Sequence, residues 1–547
     1  MKEYIVVLNP NIDYNQVWND IENTTSGLSH IPDRSVTIAK ERKMFPSICE
    51  YLLTDDEANK LKNDPRVLDV EIPVRNNPDV NIKHSAIQNP YIYSGNFNKQ
   101  SGNVYVDPAR YDGEYGNSIN WGLISHTSTI NPFGTNLDGT TGLTTTSNYN
   151  YAVDGSNVDV VILDTGIQSD HPEFTNSAGV TRIQVIDWDA IAAILGLGIS
   201  GFNSYSYTDT VGHGTNVAGI ATGKTYGWAK NSNIIPLYAA TNGVSEAEPL
   251  DTFEMLIYWH QHKGNSNPTI VNMSWDLRYG AGGFLPDIDG GNYRGTPWSG
   301  VPPQEAYGLI PLTGNGFPFQ DLTTAIYWPY TSAAYNAAMQ HLIDAGLVVC
   351  MASGNNGYKI DIPDIAGGTG DYDNYVTSTS LTGNIYYQRG ASPKAPDAII
   401  VGALDTLTSA DGSNQKAPFS CAGPGVDVYA AGTYIMSAGC STNTDPYFLN
   451  NSFMELNESG TSQATPQVTG VCALFLQANP TATAAQVKSW LNRTSGSNLY
   501  VTGDATSYTN DLSLLGGNVK VLYNPFNTAT NSTVSGPVTM TNISINT

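Results

Sequence analysis

The chain has 547 residues, and its 49 acidic and 25 basic side chains give a formal net charge of −24. This excess of negative charge argues against a nucleic-acid partner and predicts a well-solvated surface. The longest apolar runs, such as residues 191–199, are too short for a membrane span and are broken by glycine, so no membrane partner is expected. The short apolar segment after Met1-Lys2-Glu3 ends at Asn9-Pro10, which does not fit a signal peptide. We therefore expect synthesis in the cytoplasm and leave release by another route open.

Residues 1–75 are predicted to form a small α+β unit. Periodicity indicates strands at 4–9, 35–41, 47–53 and 66–74, and helices over 13–25 and from the cap Thr54 to Asp64. The order β-α-β-β-α-β is that of the ferredoxin-like motif. Residues 76–117 are polar and show no clear periodicity, so we interpret them as a linker.

Residues 118–497 alternate buried strands with helices. Strands are predicted at 158–163, 233–237, 269–273, 347–352 and 398–401, and helices at 249–263 and 330–345. This alternation predicts an α/β domain with a mostly parallel sheet and helices on both faces. A long segment, 277–330, is dense in glycine, proline and aromatic residues, and either lines a cleft or packs on itself. Residues 498–547 are expected to form a β-rich or partly disordered extension.

Polar residues at the ends of these elements suggest chemistry. Asp164 ends the first buried strand of the domain, His213 stands in Gly-His-Gly-Thr before a helix of small residues, and Asn355 follows a later buried strand. Ser462 lies where an apolar helix begins, a position at which an anion forming nearby is stabilised. Each residue alone has an ordinary structural explanation as a cap or turn residue. Together they supply a nucleophile, a base, a group that orients the base and an oxyanion donor.

The motifs that carry these residues resemble a known family. Asp-Thr-Gly at 164–166, Gly-His-Gly-Thr at 212–215, Ala-Ser-Gly-Asn at 352–355 and Gly-Thr-Ser-Gln-Ala-Thr-Pro at 460–466 resemble, in this order, the signatures of subtilisin-like serine proteases. The stretch 225–230 is similar to proteinase K. One departure is Gln463, where the family usually has methionine.

The resemblance implies a serine endopeptidase that acts through an acyl-enzyme. Asp164, His213 and Ser462 would form the catalytic triad, Asn355 would belong to the oxyanion hole, and the chemistry would need no cofactor. Residues 1–75 resemble the inhibitory prodomain of such enzymes, which implies a self-processing zymogen with its cut in the linker. The substrate would be a polypeptide, and the chain's own prodomain would be an intramolecular inhibitor. A catalytically retired fold used as a structural or binding protein, and a peptide ligase, remain alternatives.

The resemblance also indicates residues for substrate and calcium. Ser274, Trp275 and Asp276 replace the usual Ser-Leu-Gly at the rim of the first specificity pocket, with Gly354 as a further substrate-binding residue. A carboxylate at this rim would favour a basic substrate side chain, unless it points into solvent. Structural calcium is possible at Asp427 with the carbonyls of Pro396 and Ala398, which match a proteinase K calcium site. Alternatively, Asp427 caps a turn.

Overall fold

The computed structural model describes residues 1–22, 36–77, 80–84, 87–88, 120–131, 151, 153–239, 247–279, 288–300, 328–363, 371–379, 382–408, 412–447, 449–501 and 514–526. For 81–84, 87–88 and 406–408, only the backbone is described. None of the helices in these ranges is both long enough and apolar enough to span a lipid bilayer.

Residues 1–77, called the N-terminal unit, form an antiparallel sheet with two helices. Its elements are β1 (Lys2–Leu8), α1 (Tyr14–Glu22), β2 (Thr37–Glu41), β3 (Ile48–Leu53), α2 (Asp55–Lys62) and β4 (Val67–Glu71). The strands lie in the order β2-β3-β1-β4. Alternate side chains of β1 enter two different cores, because successive strand residues point to opposite faces. Val6 packs against Val17 of α1, whereas Ile5 and Val7 pack into the core of the following domain.

Two short strands follow, β5 (Val80–His84) and β6 (Ile87–Gln88). The described residues of 120–526 form the main domain. Its helices are α3 (Gly122–Ser125), α4 (Trp188–Leu195), α5 (Phe202–Ser206), α6 (His213–Thr222), α7 (Pro249–His262), α8 (Ala333–Asp344), α9 (Thr461–Ala478) and α10 (Ala484–Thr494). Its strands are β7 (Asp159–Asp164), β8 (Asn233–Tyr238), β9 (Thr269–Met273), β10 (Trp275–Tyr279), β11 (Ile288–Tyr293), β12 (Thr296–Ser299), β13 (Val348–Ala352), β14 (Tyr375–Ser378), β15 (Ile385–Tyr386), β16 (Ile399–Thr408), β17 (Asn414–Lys416), β18 (Val428–Ala431), β19 (Ile435–Gly439), β20 (Asp445–Pro446) and β21 (Met454–Ser459).

The main domain is built on a mostly parallel sheet, as the sequence predicts. Strands β8-β7-β9-β13-β16 are neighbours and all pair in parallel, with β18 parallel and β17 antiparallel to β16. Val160 and Ile162 pack into one core with α6 and α9, whereas Val161 and Leu163 pack into another with α7 and α8. Both faces are therefore covered. The carboxyl ends of β7, β9 and β13 meet at one edge, where ligands of open α/β sheets bind.

The segment predicted as a linker contains strands that periodicity does not reveal. β5 pairs antiparallel with β10, with His84 opposite Trp275, and β6 pairs antiparallel with β21, with Ile87 opposite Ser459. A strand added to an exposed edge is held mainly by backbone hydrogen bonds, so it needs no amphipathic pattern. Residues 89–117 of the predicted linker lie outside the described residues.

The long insertion is described in part. β11 and β12 form a hairpin whose turn holds Arg294 and Gly295 at positive φ, and β11 pairs with β14 to give the sheet β12-β11-β14-β15. The strand that leads into the insertion, β10, pairs with β5. Residues 280–287 and 301–327 lie outside the described residues.

The predicted extension after residue 498 needs correction. Leu514, Val521, Leu522 and Phe526 are buried in the main core, and Val521 forms a parallel bridge with Tyr429. These residues belong to the main domain, since Phe526 stacks on Trp490 of α10, and Val521 and Leu522 lie beside Tyr429 of β18. The predicted boundary at 498 is therefore wrong for residues 514–526, and 527–547 lie outside the described residues.

Candidate active site

Asp164 and His213 form a buried pair at the carboxyl edge of the sheet. The Nδ1 atom of His213 lies 2.7 Å from Asp164 Oδ1, and that oxygen also accepts a hydrogen bond from Thr165 N at 2.8 Å. Since an ionised carboxylate only accepts, His213 Nδ1 carries the proton and Nε2 becomes the basic nitrogen. The pair thus fixes the tautomer that a general base needs.

The environment of His213 favours its protonated form. Burial by itself lowers the pKa of His213, but the charge of Asp164 and its hydrogen bond, followed by Glu458 and Asp209, outweigh burial and raise this pKa to about 9. Only the neutral imidazole can accept a proton. Any reaction with this base should therefore speed up as pH rises through its pKa.

A network of short hydrogen bonds fixes the start of α6. Asp209 accepts hydrogen bonds from Thr215 N at 3.0 Å and from Thr215 Oγ1 at 2.7 Å. Thr165 Oγ1 accepts from Gly214 N at 2.8 Å. A Cβ at Gly214 would lie 2.0 Å from Gly166 O, so this position requires glycine. The Gly-His-Gly-Thr motif thus reflects the close approach of this helix to the end of β7.

Ser462 lies in the first turn of α9. Pro466 has no N–H to donate to the carbonyl of Ser462 four residues earlier, and Ser274 Oγ donates to that carbonyl instead, at 2.9 Å. In return, Ser462 Oγ donates to Ser274 O at 2.9 Å. This exchange ties the start of α9 to the end of β9. In this structure the Ser462 hydroxyl is therefore engaged by a backbone carbonyl.

Asn355 is oriented by the residue before the serine. Its Oδ1 accepts hydrogen bonds from Thr461 N at 2.8 Å and Thr461 Oγ1 at 2.7 Å. The backbone N–H is an obligatory donor, so oxygen must face Thr461 and the Nδ2 group must point the other way. The Ser462 N–H, in the first turn, is a second donor without an intrahelical acceptor.

Glu458 is a site residue that the sequence analysis did not single out. It is buried on β21, four residues before the serine, and accepts a hydrogen bond from Gln463 Nε2 at 2.9 Å. Gln463 also donates to Asn216 Oδ1 on α6 at 3.3 Å, which links the helices of Ser462 and His213. Burial raises the pKa of Glu458, His213 lowers it, and the net pKa is about 7. The replacement of the family's methionine by Gln463 offers the sequence signal, since a buried amide requires polar partners.

Replacing Glu458 by glutamine should shift the pH profile. Above its own pKa of about 7, the Glu458 carboxylate stabilises protonated His213. Its loss should move the acidic limb of kcat/KM to lower pH by up to about one unit, while the alkaline plateau changes little. Peptide hydrolysis measured over a pH series checks this shift. An unchanged or upward-shifted limb would show that Glu458 does not act on His213.

The residues predicted to bind substrate separate into different roles. The Trp275 side chain is buried against Phe253 and donates from Nε1 to Leu163 O at 2.9 Å, so only its backbone can meet a substrate. Trp275 thus remains a predicted substrate-binding residue through its backbone alone, because alternation on β10 turns its side chain into the core. Asp276 points inward, not into solvent, and is paired with Arg278. Gly354 stands opposite, with a Cβ position 3.2 Å from Asp276 Oδ2.

The calcium site predicted at Asp427 is wrong, because a lysine supplies the cation. Lys488 Nζ lies 2.9 Å from Pro396 O, 2.8 Å from Ala398 O and 2.9 Å from Asp427 Oδ2. These are the oxygens proposed as ligands, and all of them converge on the ammonium. Within the described residues, no group of three or more histidine, cysteine or acidic side chains could hold a metal.

Substituting Lys488 by methionine should therefore destabilise the main domain. The change leaves the partly buried Asp427 without its cation and should cost about 2 kcal/mol, the usual value of a hydrogen bond to a charged group. Thermal unfolding measures the loss, and the double variant Lys488→Met/Asp427→Asn should recover most of it. If chelators lower the Tm of the wild type and Lys488→Met leaves it unchanged, calcium occupies this position after all.

Fold and site together define the class of protein. A parallel α/β sheet presents an Asp-His pair, a serine at a helix start and an oriented amide along one edge, and these are the kinds of group that nucleophilic catalysis by a serine requires. The sequence profile of the subtilase family matches residues 155–519. The chain belongs to the subtilase family.

Individual relatives are distant. The chain is 24% identical over 364 residues to a cuticle-degrading serine protease of Arthrobotrys oligospora, covering 66% of this chain and 59% of that protein. It is 27% identical over 345 residues to an extracellular serine proteinase of a Thermus species, covering 63% of this chain and 56% of that protein. The chain thus spans less than two thirds of the length of these relatives. Among solved structures it resembles fervidolysin from Fervidobacterium pennivorans, with 18% identity, a TM-score of 0.49, and coverage of 96% of this chain and 60% of that one.

Proposed function

We propose that this chain is a serine endopeptidase that hydrolyses peptide bonds through Asp164, His213 and Ser462. The observation that carries the proposal is the buried contact of 2.7 Å between His213 Nδ1 and Asp164 Oδ1, since it prepares Nε2 to accept a proton. The presence of Asp164, His213 and Ser462 in one chain speaks against a catalytically retired fold. Mass spectrometry of an unfolded protein substrate should show cleavage at internal bonds by the wild type and none by Ser462→Ala. Cleavage only from chain ends, or equal cleavage by both proteins, would contradict the proposal.

The mechanism begins with proton transfer from Ser462 Oγ to His213 Nε2. The oxygen attacks the substrate carbonyl, and the carbonyl oxygen becomes an oxyanion that accepts hydrogen bonds from Asn355 Nδ2 and Ser462 N. Asp164 stabilises the imidazolium without taking its proton. His213 then protonates the leaving amine, the acyl-enzyme forms, and a water activated by the same imidazole releases the acid. Every proton thus passes through one nitrogen of His213.

The cleft accepts an extended chain on both sides of the serine. β5 adds to β10 directly after Ser274, and β6 adds to β21 a few residues before Ser462. Backbone pairing of this kind recognises an extended polypeptide with little regard to sequence. Because chain is bound on both sides of the nucleophile, the arrangement favours an endopeptidase.

The chain's own segment is therefore its first substrate. His84 ends β5 and Ile87 begins β6, so the maturation cut should fall at one of the bonds between them. The two residues in between lie outside the described residues. Mass spectrometry of purified wild type should give two fragments whose new ends lie at one of these bonds, and Ser462→Ala should remain a single uncut chain. A cut outside residues 84–87 would contradict this placement.

The N-terminal unit is proposed to act as the inhibitory prodomain. Glu71 of β4 accepts hydrogen bonds from Ser332 Oγ and Ala333 N, both at 2.6 Å, and so caps the N-terminus of α8. Arg42 of the N-terminal unit is fully buried and reaches Glu248 at 2.7 Å, just before α7. Arg75 reaches the same carboxylate oxygen of Glu248 at 2.7 Å. These contacts hold the unit over α7 and α8 while its following strand occupies the cleft.

Arg42 is the centre of this interface, and its loss should weaken it strongly. Arg42 meets Glu50 within its own unit and Glu248, Asp251 and Glu254 of the main domain. In Arg42→Met these carboxylates lose a buried partner, which should cost about 3–5 kcal/mol. Thermal unfolding of the uncut Ser462→Ala chain with and without Arg42→Met measures the cost.

The matched control is Lys2→Met, which removes an exposed ion pair with Asp55 and should leave the Tm unchanged. Equal Tm values for the Arg42 variant and this control would show that Arg42 does not stabilise the interface.

A further inference from the structure

A small cavity is lined by residues that follow Ser274 and by the chain neighbours of Asn355. It lies between β10 and the loop after β13, and its lining includes Asp276, Arg278, Gly354, Asn356 and Tyr358. Its volume is about 20 Å³, room for roughly one water molecule. Ser274, which exchanges hydrogen bonds with Ser462, precedes one wall, and Asn355 lies within the other. The cavity thus borders the two segments that carry Ser274 and Asn355.

The side chain just before the scissile bond should enter this recess. Asp276 and Arg278 alternate along β10 and share one face, whereas Trp275 and Leu277 are buried in the core. Ser274, just before β10, continues the first of these two alternating sets. A substrate strand that follows the register of β5 along β10 reaches Ser274 as it approaches the serine. Gly354 leaves the opposite wall bare, and a Cβ there would lie 3.3 Å from Cys421 Sγ.

An ion pair fills much of the space. Arg278 donates from Nε to Asp276 Oδ1 at 2.6 Å and from Nη2 to Asp276 Oδ2 at 3.0 Å. Arg278 also donates to Asn356 Oδ1 at 3.3 Å. Asp276 and Arg278 are only 6% and 8% exposed. A bidentate pair of this kind is rigid, and separating its partners would leave a buried charge unpaired.

This pair makes the recess unfavourable for either sign of charge. A lysine or arginine of the substrate would meet Arg278, and a glutamate would meet Asp276, without a free counter-charge to offset desolvation. A large apolar side chain would have to displace the pair, because the remaining volume is too small. Only a side chain about as large as a methyl or hydroxymethyl group fits without such a displacement.

We propose that the Asp276–Arg278 pair restricts cleavage to bonds that follow small uncharged residues such as alanine and serine. This inference rests on the proposed function, since it assigns a substrate class to the same site. It replaces the expectation that Asp276 selects basic side chains, because Arg278 already neutralises that carboxylate. The sequence of the proposed maturation segment agrees with this class, since Ser85 and Ala86 are the residues between β5 and β6.

The test is a peptide series that differs only in the residue before the cleaved bond. Processed wild-type enzyme, with active sites counted by a fluorophosphonate titrant, should cleave after alanine or serine at least about 100-fold faster in kcat/KM than after lysine, glutamate or phenylalanine. Equal or faster cleavage after lysine, glutamate or phenylalanine would overturn the proposal. Mass spectrometry of self-processed chain adds a second readout, since the cut should follow Ser85 or Ala86 and not His84.

Variants separate the role of each partner. Arg278→Ala exposes the Asp276 charge and should raise cleavage after lysine, whereas Asp276→Ala exposes the Arg278 charge and should raise cleavage after glutamate. The double alanine variant should gain cleavage after phenylalanine without a preference for charge. Unchanged ratios in variants that still titrate fully would show that the pair does not select substrates. Absence of titration in the wild type would instead count against the proposed function, so the two failures are distinguishable.

Discussion

Replacing His213 by alanine is expected to lower kcat by about 10⁶-fold, the loss measured for the corresponding histidine of subtilisin itself. The serine hydroxyl is a poor nucleophile without a base, and His213 is the base that the Asp164 contact prepares at 2.7 Å. Asp164 would keep the hydrogen bond from Thr165 N but lose the imidazole that it orients. Hydrolysis of a peptide substrate, with kcat and KM determined separately, measures the effect. Most of the loss should fall on kcat, because the imidazole acts on the reacting atoms.

The control for this experiment is His262→Ala. His262 is on α7, where its Nδ1 lies 2.7 Å from Tyr258 O on an exposed helix surface. Its replacement should leave kcat and KM unchanged. Residual activity of His213→Ala above about a hundredth of the wild type would mean that another group removes the serine proton.

Asn355→Leu should lower kcat by about 10² to 10³, the range reported for the oxyanion-hole asparagine of subtilisin itself. The side chain acts only when negative charge develops on the substrate oxygen, so KM should change little. Leucine has a similar shape but lacks both the Nδ2 donors and the Oδ1 acceptor. Since Oδ1 holds Thr461 N and Oγ1, we expect an additional modest decrease in Tm.

Asn231→Leu provides the matched control, because Asn231 is exposed and precedes β8. Its kinetics should equal those of the wild type. Wild-type turnover in Asn355→Leu would remove this amide from the mechanism, whereas a proportional rise in KM would assign it to substrate binding.

The sequence predicts the sheet and its active edge well, because both depend on patterns of short range. Continuous apolar runs such as 158–163 can only be buried on both faces, and parallel strands bring their carboxyl ends to one edge. Asp164, Ser274 and Asn355 follow such strands directly. The reasons for the motif residues Gly214 and Pro466 appear only in the folded chain, in the close approach to Gly166 O and in the hydrogen bond from Ser274 Oγ to Ser462 O.

Contacts between distant segments could not be read in this way. Arg42 and Glu248 are 206 residues apart, and the sequence around them does not indicate that either side chain is buried. In the sequence Lys488 is an ordinary lysine, and only the fold places Pro396 O and Ala398 O around its ammonium. Arg278 likewise cancels the charge of Asp276 only because both point to one face of β10. Such ion pairs change the charge that a motif residue presents to a ligand, and they form only when the chain is folded.

Covalent labelling by a fluorophosphonate shows whether His213 activates Ser462 as a nucleophile, since the probe reacts only with a serine whose proton a neighbouring base can take. The account predicts one adduct in the processed wild type, located at Ser462 by peptide mass spectrometry, and none in His213→Ala. No adduct in any processed form, or an adduct on another serine, would contradict it.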